Sequence, residues 1–395
     1  MLGCHVIIPA QNLSFIQPLT SMTVQPNKRL LSLDVFRGLT VAAMILVNNP
    51  GDWAHIYWPI EHSDWNGCTL ADFIFPFFLF IIGVAIVYSM ETKKQDETQR
   101  KKQVLGVLRR AFILLFLGWL FSGFPYYNLY TIRLTGVLER IAVVFCICGL
   151  IYVYTGRKTQ LWLFWIILIL YFVLMNFVPV PGFGHANLDA KTNLGAWIDR
   201  TLLGEAHLWK ESKVWDPEGI LGCLPSVATG IFGILIGTWL KRKDKDDATK
   251  VTWMFSIGTL TVLAGLTWGL FFPINKSLWT SSYVLYTGGW ATITLALFYW
   301  LIDVQGYKKF TAPFVAYGVN AIVVYFFSQL MARSMNMYQV TFNGKPASFK
   351  DYLYKSFFEP WLSPYNASLA FGLALVLFWL FILWVFYKKH IIIKV

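Results

Sequence analysis

Polar side chains able to do chemistry occur at only a few points in this apolar sequence, near the ends of its long hydrophobic segments. Such groups are expensive at membrane depth and usually serve function. The candidates are Asp34, Arg37, Asn48, Asn49, His62, Asp64, Asn66, Asp72, Glu139, Arg140, Asp216, Glu218, Asn275, Lys276 and Asn320.

His62 is the most promising of these residues. Histidine is the natural general base near neutral pH. His62 lies in a dense polar and aromatic string, Glu-His-Ser-Asp-Trp-Asn-Gly over 61–67, directly before an apolar segment. Two interpretations stay open from the residues alone. Either His62 is a catalytic base, or the string is an interfacial helix cap in which Ser63, Asp64 and Asn66 bind backbone N–H groups.

The sequence carries no signature of several other chemistries. It has no HExxH, GxSxG, P-loop or GxGxxG element, so a zinc enzyme, a serine hydrolase or an ATPase has no support. Cys146 and Cys148 form a CxC pair on different faces of an apolar run, which predicts packing residues and not a metal site or a disulfide. We expect no metal.

The elements that carry the polar residues are predicted to be membrane-spanning helices. The sequence is 56% hydrophobic and 14% charged, whereas an average soluble domain has about 25% charged residues. A span needs about 20 apolar residues. Ten segments qualify: 33–49, 69–90, 105–124, 136–155, 160–178, 219–240, 251–272, 279–302, 312–332 and 366–387. We therefore predict an all-α polytopic membrane protein, with about ten transmembrane helices in one bundle.

Basic residues are concentrated on one side of these ten segments. Of the 33 Lys and Arg residues, 21 lie in the parts predicted to be inside and 10 on the opposite face. The positive-inside rule then places both termini in the cytoplasm. Because the basic residues alternate with apolar spans, we assign the net charge of +12 to topology and anionic lipid, and we expect no nucleic-acid partner.

The sequence outside the spans falls into a tail and loops. Residues 1–28 do not read as a signal peptide, and we expect a disordered tail or a start placed too far upstream. Residues 29–395 are predicted to be one transmembrane domain. Its outer loops 179–218 and 333–365 are long and rich in aromatic residues, and long loops are usually functional. An aromatic-walled outer pocket would suit a sugar, and a plain interfacial belt is the alternative.

Several sequence blocks point to one family. They are LSLDVFRGL (31–39), VN (47–48), HSDWNGCTLADFIFPFFLFIIG (62–83), GVLER (136–140), IDRTLLG (198–204), DPEGILG (216–222), NKSLW (275–279) and YGVNAI (317–322). In these blocks, which follow the family order, the sequence resembles the heparan-α-glucosaminide N-acetyltransferases over about residues 30–395. We expect a bacterial, catalytic-domain-only relative in the inner membrane.

The resemblance implies an enzyme that takes acetyl-CoA from the cytosol and acetylates the amine of a terminal glucosamine-type sugar on the far side of the membrane. It also suggests a homodimer. The histidine of the family's H-x-x-W-N-G motif corresponds to His62, and its V-N asparagine to Asn48, although the two are slightly farther apart here. We expect Asp64 to orient His62 and Asn48 to stabilise charge on the carbonyl oxygen. His62 as a base and His62 as an acetylated nucleophile remain alternatives.

The binding residues follow from the same implied reaction. CoA phosphates need cations, and the predicted ligands on the inner side are Arg37, Arg109, Arg110 and Lys102. The residues predicted to bind or frame the acceptor on the outer side are Trp65, Asn66, Arg140, Glu218 and Lys276. A sugar or glycan transporter and an O-acyltransferase of envelope glycans are the alternative functions.

Overall fold

Long apolar helices dominate the described residues, 16–18, 30–90 and 97–393, of the computed structural model. Nine helices in this part of the chain are long and apolar enough to cross a membrane. They are α1 (Leu31–Asn48), α2 (Leu70–Met90), α3 (Glu97–Gly123), α4 (Val137–Tyr154), α5 (Arg157–Phe177), α7 (Cys223–Leu240), α8 (Asp247–Gly269), α9 (Ser281–Phe298, continued by a π-helix, Tyr299–Val304) and α13 (Pro364–Lys388). The predicted all-α membrane bundle is confirmed.

The ninth predicted span, 312–332, is wrong as a straight helix. It consists of α10 (Thr311–Val319) and α11 (Ala321–Met337), which meet at an angle of 80°. Asn320 lies at the break, and its side chain forms hydrogen bonds with residues outside α10 and α11. It accepts a hydrogen bond from the Ile393 N–H at 2.9 Å and donates one to the Ile391 carbonyl at 3.2 Å. Asparagine is a weak helix former because its side chain competes for backbone hydrogen bonds, and here it bonds the backbone of Ile391 and Ile393 at the break.

A short two-stranded ribbon lies at this end of the bundle. Strand β4 (Ile391–Ile393) pairs antiparallel with β1 (Ile16–Pro18). The rest of the tail predicted over 1–28 lies outside the described residues. The start of α1 lies at the same end of the bundle. There the Ser32 N–H donates a hydrogen bond to Asp303 of the π-helix at 3.0 Å. That this end faces the cytoplasm stays a prediction from the charge bias, and we use "inner" for this end and "outer" for the opposite end in that predicted sense.

The two long outer loops contain secondary structure. Loop 179–218 holds α6 (Leu194–Leu203) and a 3₁₀ turn, Glu205–His207. Loop 333–365 holds strands β2 (Gln339–Phe342) and β3 (Lys345–Ser348), followed by α12 (Phe349–Phe357). Asn343 and Gly344 join the strands with φ angles of 50° and 76°. An Asn-Gly pair at positive φ is the preferred two-residue hairpin turn.

The centre of the bundle is the contact between α2 and α7, the two most buried of the spanning helices. Glycines allow this close approach. A Cβ atom at Gly83 of α2 would lie 2.0 Å from the carbonyl oxygen of Gly230 in α7. A Cβ at Gly233 would likewise lie 2.1 Å from the Phe80 oxygen. Small residues at such crossings let helix backbones pack closely in lipid.

Gly83→Ala tests this packing. We expect a lower apparent unfolding temperature in detergent, because overpacking a tight contact costs about 1–3 kcal/mol. Gly106→Ala in α3 is the matched control, since nothing lies within 4 Å of a Cβ at that position. It should leave the temperature unchanged or raise it, because alanine favours helix. Equal behaviour of the two variants would contradict the packing assignment.

Candidate active site

His62 pairs with a buried carboxylate. The loop 61–69 folds back onto the start of α2, so that His62 Nδ1 lies 2.8 Å from Asp72 Oδ1. The side chain of Asp72 has no exposed surface, whereas that of His62 is 40% exposed. This arrangement gives His62 a fixed partner on one side of the ring and access to the surroundings on the other.

We predicted that Asp64 orients His62, but the carboxylate that contacts His62 is that of Asp72. Asp64 is exposed on the loop, while Asp72 faces back toward the loop from the first turn of α2. A sequence signal existed for this contact. Thr69-x-x-Asp72 has the spacing of a helix capping box, in which the carboxylate accepts the backbone N–H at the start of the helix, here at 3.0 Å.

The hydrogen bonds of Asp72 determine which ring nitrogen of His62 carries the hydrogen. The Oδ2 atom accepts from the Ser63 and Thr69 N–H groups at 3.1 and 3.0 Å, and the hydroxyls of both residues lie at 3.0 and 3.2 Å. So many donors favour the ionised carboxylate. Because a carboxylate only accepts, His62 Nδ1 carries the hydrogen and donates it. The Nε2 lone pair of a neutral ring is then free to take a proton.

Lys276 approaches the same pair from the loop between α8 and α9. Its Nζ atom lies 3.4 Å from Asp72 Oδ1 and within 3.3 Å of both ring nitrogens of His62. Burial lowers the pKa of Lys276, while the Asp72 and Glu218 carboxylates oppose this shift and favour the ammonium. We predicted that Lys276 binds or frames the acceptor, and that prediction did not include a contact with His62.

Two other predicted acceptor residues tie loops together. Asn66 accepts a hydrogen bond from Asn275 at 3.2 Å. The Trp65 indole N–H donates to the Leu188 carbonyl at 3.0 Å, and its ring packs edge-on against Trp215. Both residues therefore join the His62 loop to neighbouring outer loops.

A buried ion-pair cluster lies at the outer ends of α4 and α7. Arg133 bonds Asp216 and Glu218, each at 2.5 Å, and the Thr135 hydroxyl donates to Asp216 at 2.7 Å. Burial alone would raise the pKa of Asp216, but Arg133 lowers it below its usual range. Glu218, which was predicted to bind or frame the acceptor, is thus paired with Arg133. Arg133 lies in no recognisable motif and was not predicted as a site residue.

Arg140 is buried beneath this cluster. It is 1% exposed, stacks its guanidinium over Trp279 at 5.1 Å, and donates from Nη2 to the Gly219 carbonyl at 3.1 Å. Its Nε and Nη1 atoms have no hydrogen-bond partner among the described residues. Asp199, whose pKa burial raises to about 6, lines the same small space. Arg140 therefore lies inside the bundle and not on its surface.

An outer cavity of about 470 Å³ contains Asn48. Trp53 and Trp209 lie in its wall, together with Arg133 and Arg333. His62 is not among the lining residues. The structure thus places Asn48 in this cavity and does not bring His62 into it.

A larger cavity of about 1540 Å³ opens at the opposite end of the bundle. Small-molecule sites are commonly about 300–1,000 Å³, so this space admits a large ligand. Its lining contains eight basic residues: Arg37, Arg109, Arg110, Lys241, Arg242, Lys243, Lys250 and Lys308. The acidic residues in the lining are Asp34, Asp247 and Asp303. This excess of cations suits a polyanion.

The large cavity includes three of the four predicted phosphate ligands. Arg37 bonds Asp34 and the Gly318 carbonyl at 3.3 and 3.4 Å, and Arg110 lies over the Phe145 ring at 5.0 Å. Lys102 is exposed on α3 and is not part of the lining. Apolar residues such as Phe78 carry the cavity inward toward the middle of α2. We call it the inner cavity below.

No metal centre is evident in the described parts of the chain. Residues 30–90 and 97–393 contain no group of three or more His, Cys, Asp or Glu side chains able to hold a metal ion.

Comparison with known proteins identifies relatives of this chain. A model of the catalytic region of heparan-alpha-glucosaminide N-acetyltransferase matches residues 29–268. The mouse protein of that name is 30% identical over 351 residues, covering 75% of this chain and 53% of the relative. The human protein is 29% identical over 363 residues, covering 78% and 54%. The chain thus spans about half the length of these curated relatives.

Proposed function

Since this chain belongs to the heparan-α-glucosaminide N-acetyltransferase family, we propose that it moves an acetyl group from acetyl-CoA, bound in the inner cavity, to a glucosamine-type amine at the outer end of the bundle. The observation that carries this proposal is the pairing of two sites at opposite ends. His62, held by buried Asp72, lies at the outer end, and a large basic cavity lies at the other. The membrane would separate the two substrates.

His62 would serve the acceptor amine. A sugar ammonium must lose a proton before its nitrogen can attack the thioester carbonyl, and His62 Nε2 is free to take that proton. The new C–N bond forms as the C–S bond breaks. The CoA sulfur leaves as a thiolate and is protonated, with His62 as the available proton donor. Asp72 holds the ring in one tautomer throughout this exchange.

Asn48 is the proposed donor to the carbonyl oxygen, which gains negative charge during attack. Removing one such donor typically lowers the rate by about 10²–10³-fold. Its place in the outer cavity supports this role, because the acetyl group has to pass from the inner cavity toward the acceptor. The role requires the carbonyl to lie within reach of both Asn48 and His62 in the complex.

The inner cavity would hold CoA through its cations. Arg37 and Arg110 both line this cavity, and guanidinium groups suit the binding of phosphate. Arg109, Lys241, Lys243 and Lys308 add charge along the same lining. Lys102 is better explained as a membrane-anchoring residue.

The outer cavity would receive the acceptor. Its tryptophans offer flat apolar faces for the CH groups of a sugar ring, and its polar side chains can bind hydroxyls. Trp65, Asn66, Arg140 and Glu218 would act by holding the surrounding loops in place. We also keep the predictions of a homodimer and of a bacterial inner-membrane location as parts of this proposal.

Transport is the second candidate function, and the broken helix at Asn320 favours it. Transporters often form their sites at discontinuous helices. Purified protein that consumes acetyl-CoA only when glucosamine is present would support the enzyme. Counterflow of labelled sugar with no loss of acetyl-CoA would support the transporter, and acetylation at a sugar hydroxyl would indicate the O-acyltransferase.

His62→Ala tests the base. We expect kcat/KM to fall by about 10²–10⁴-fold, the usual contribution of a general base, in protein that still folds. His55→Ala is the matched control, because His55 forms a similar pair with Asp52 at 2.6 Å but on an exposed outer loop. It should keep activity within about threefold.

Activity of His62→Ala near the wild-type level would rule out the proposed base. Mass spectrometry of protein incubated with acetyl-CoA alone separates the two mechanisms. Acetyl-His62 supports the nucleophile, whereas its absence during turnover supports direct transfer.

Arg110→Gln tests the inner cavity. We expect the KM for acetyl-CoA to rise about tenfold, because a hydrogen bond to a charged group contributes about 1.5–3 kcal/mol. Lys102→Gln, on the same helix and with the same change in charge, should leave the KM unchanged. Steady-state kinetics over a range of acetyl-CoA concentrations measures both. Equal effects of the two variants would mean that the cavity does not bind the donor.

A further inference from the structure

The lysine beside His62 lies over the face of the imidazole ring. Lys276 Nζ is 3.0 Å from Nδ1 and 3.3 Å from Nε2. An ammonium in the ring plane opposite one nitrogen would be much farther from the other nitrogen. These two similar distances therefore place Nζ above the ring. The contact leaves the in-plane lone pair of Nε2 available.

Bonds between two loops hold Lys276 in this position. The Gly67 N–H donates to the Ile274 carbonyl at 2.8 Å, and Asn275 donates to Asn66 at 3.2 Å. The same Asn275 side chain accepts from the Leu278 N–H at 2.8 Å, which fixes the turn that presents the lysine. The side chain of Lys276 is 21% exposed. Its ammonium is thus directed at His62 and Asp72.

The charges of the three residues balance only when His62 is neutral. Asp72 carries one negative charge and Lys276 one positive charge, 3.4 Å apart. A proton on His62 would put a second positive charge about 3 Å from the ammonium, and a like charge at that distance disfavours the charged form.

Few other titratable groups surround the ring. Cys68 interacts with Asp72 and Lys276, and burial raises the pKa of its thiol. Glu218 acts on Lys276 from the loop before α7, but it is itself bonded to Arg133. Glu61 and Asp64 are exposed on the His62 loop. Lys276 is therefore the cation that acts most directly on His62.

We propose that Lys276 is a positioning residue that keeps His62 neutral, so that the ring can accept the proton of the sugar ammonium. The proposal rests on the proposed function, since it concerns the base of that reaction. It differs from the acceptor-binding role predicted for Lys276, because this residue is absent from the lining of the outer cavity.

The direct test is the protonation of His62 itself. Protein labelled with ¹³C at the histidine Cε1 atoms is titrated by NMR in nanodiscs, and His62 is assigned from the signal missing in His62→Gln. We expect Lys276→Gln to move the His62 titration midpoint upward by about one pH unit or more. Lys276→Arg should keep it within a few tenths of wild type. Lys345→Gln, at an exposed position of β3, is the control for net charge and should not change it.

Kinetics provides the second readout. The acid limb of the kcat/KM profile of Lys276→Gln should move upward by the same amount. An unchanged His62 midpoint in Lys276→Gln would overturn the proposal. So would a large rise in the KM for the acceptor with no shift of the limb, because that result assigns Lys276 to substrate binding.

The NMR titration separates this proposal from the proposed function. Wild-type protein that fails to consume acetyl-CoA with glucosamine would refute the transferase, yet the titration would still decide whether Lys276 controls His62. Active wild-type protein with an unchanged midpoint would refute the role of Lys276 alone.

Discussion

The ionised carboxylate of Asp72, buried in the first turn of α2, is the interaction on which the outer site depends. A buried charge is tolerated only with several donors around it. The backbone of Ser63 and Thr69 supplies two, His62 a third, and Lys276 adds a positive charge. Meeting this requirement folds the loop 61–69 back on the helix. The same contacts that stabilise the helix start also hold the imidazole in one tautomer.

The second constraint is the distribution of charge along the bundle. At the outer end, Arg133 is paired with two carboxylates, those of Asp216 and Glu218. The other end gathers eight basic residues around one cavity. Between the two ends lies the tightly packed contact of α2 with α7, where Gly83 and Gly233 leave no room for side chains. This arrangement fits a protein that holds a polyanion at one end and does proton transfer at the other.

Much of the fold was predictable, because each spanning helix is a long apolar segment that can be recognised from its own residues. The break at Asn320 was not, because it depends on hydrogen bonds to Ile391 and Ile393 about 70 residues away. The short strands likewise depend on pairing. The Asn343-Gly344 pair is a local signal for the turn of the β2–β3 hairpin.

The candidate site was predictable only in part. His62 stood out because its neighbours in sequence are polar. Its partner Asp72 was among the polar candidates, but choosing it over Asp64 required the capping pattern that begins at Thr69. Lys276 reaches His62 across 214 residues of sequence, and no local pattern encodes that approach. In the sequence, Lys241 and Lys308 indicate only membrane topology. The fold brings both residues to the lining of one cavity.

We propose that donor and acceptor reach the enzyme from opposite faces of the membrane. It is tested most directly in proteoliposomes with an impermeant glucosamine acceptor trapped inside and acetyl-CoA added outside. We expect N-acetylated sugar inside the vesicles, formed at the expense of the external acetyl-CoA. Product that forms only when both substrates are on the same side would contradict it.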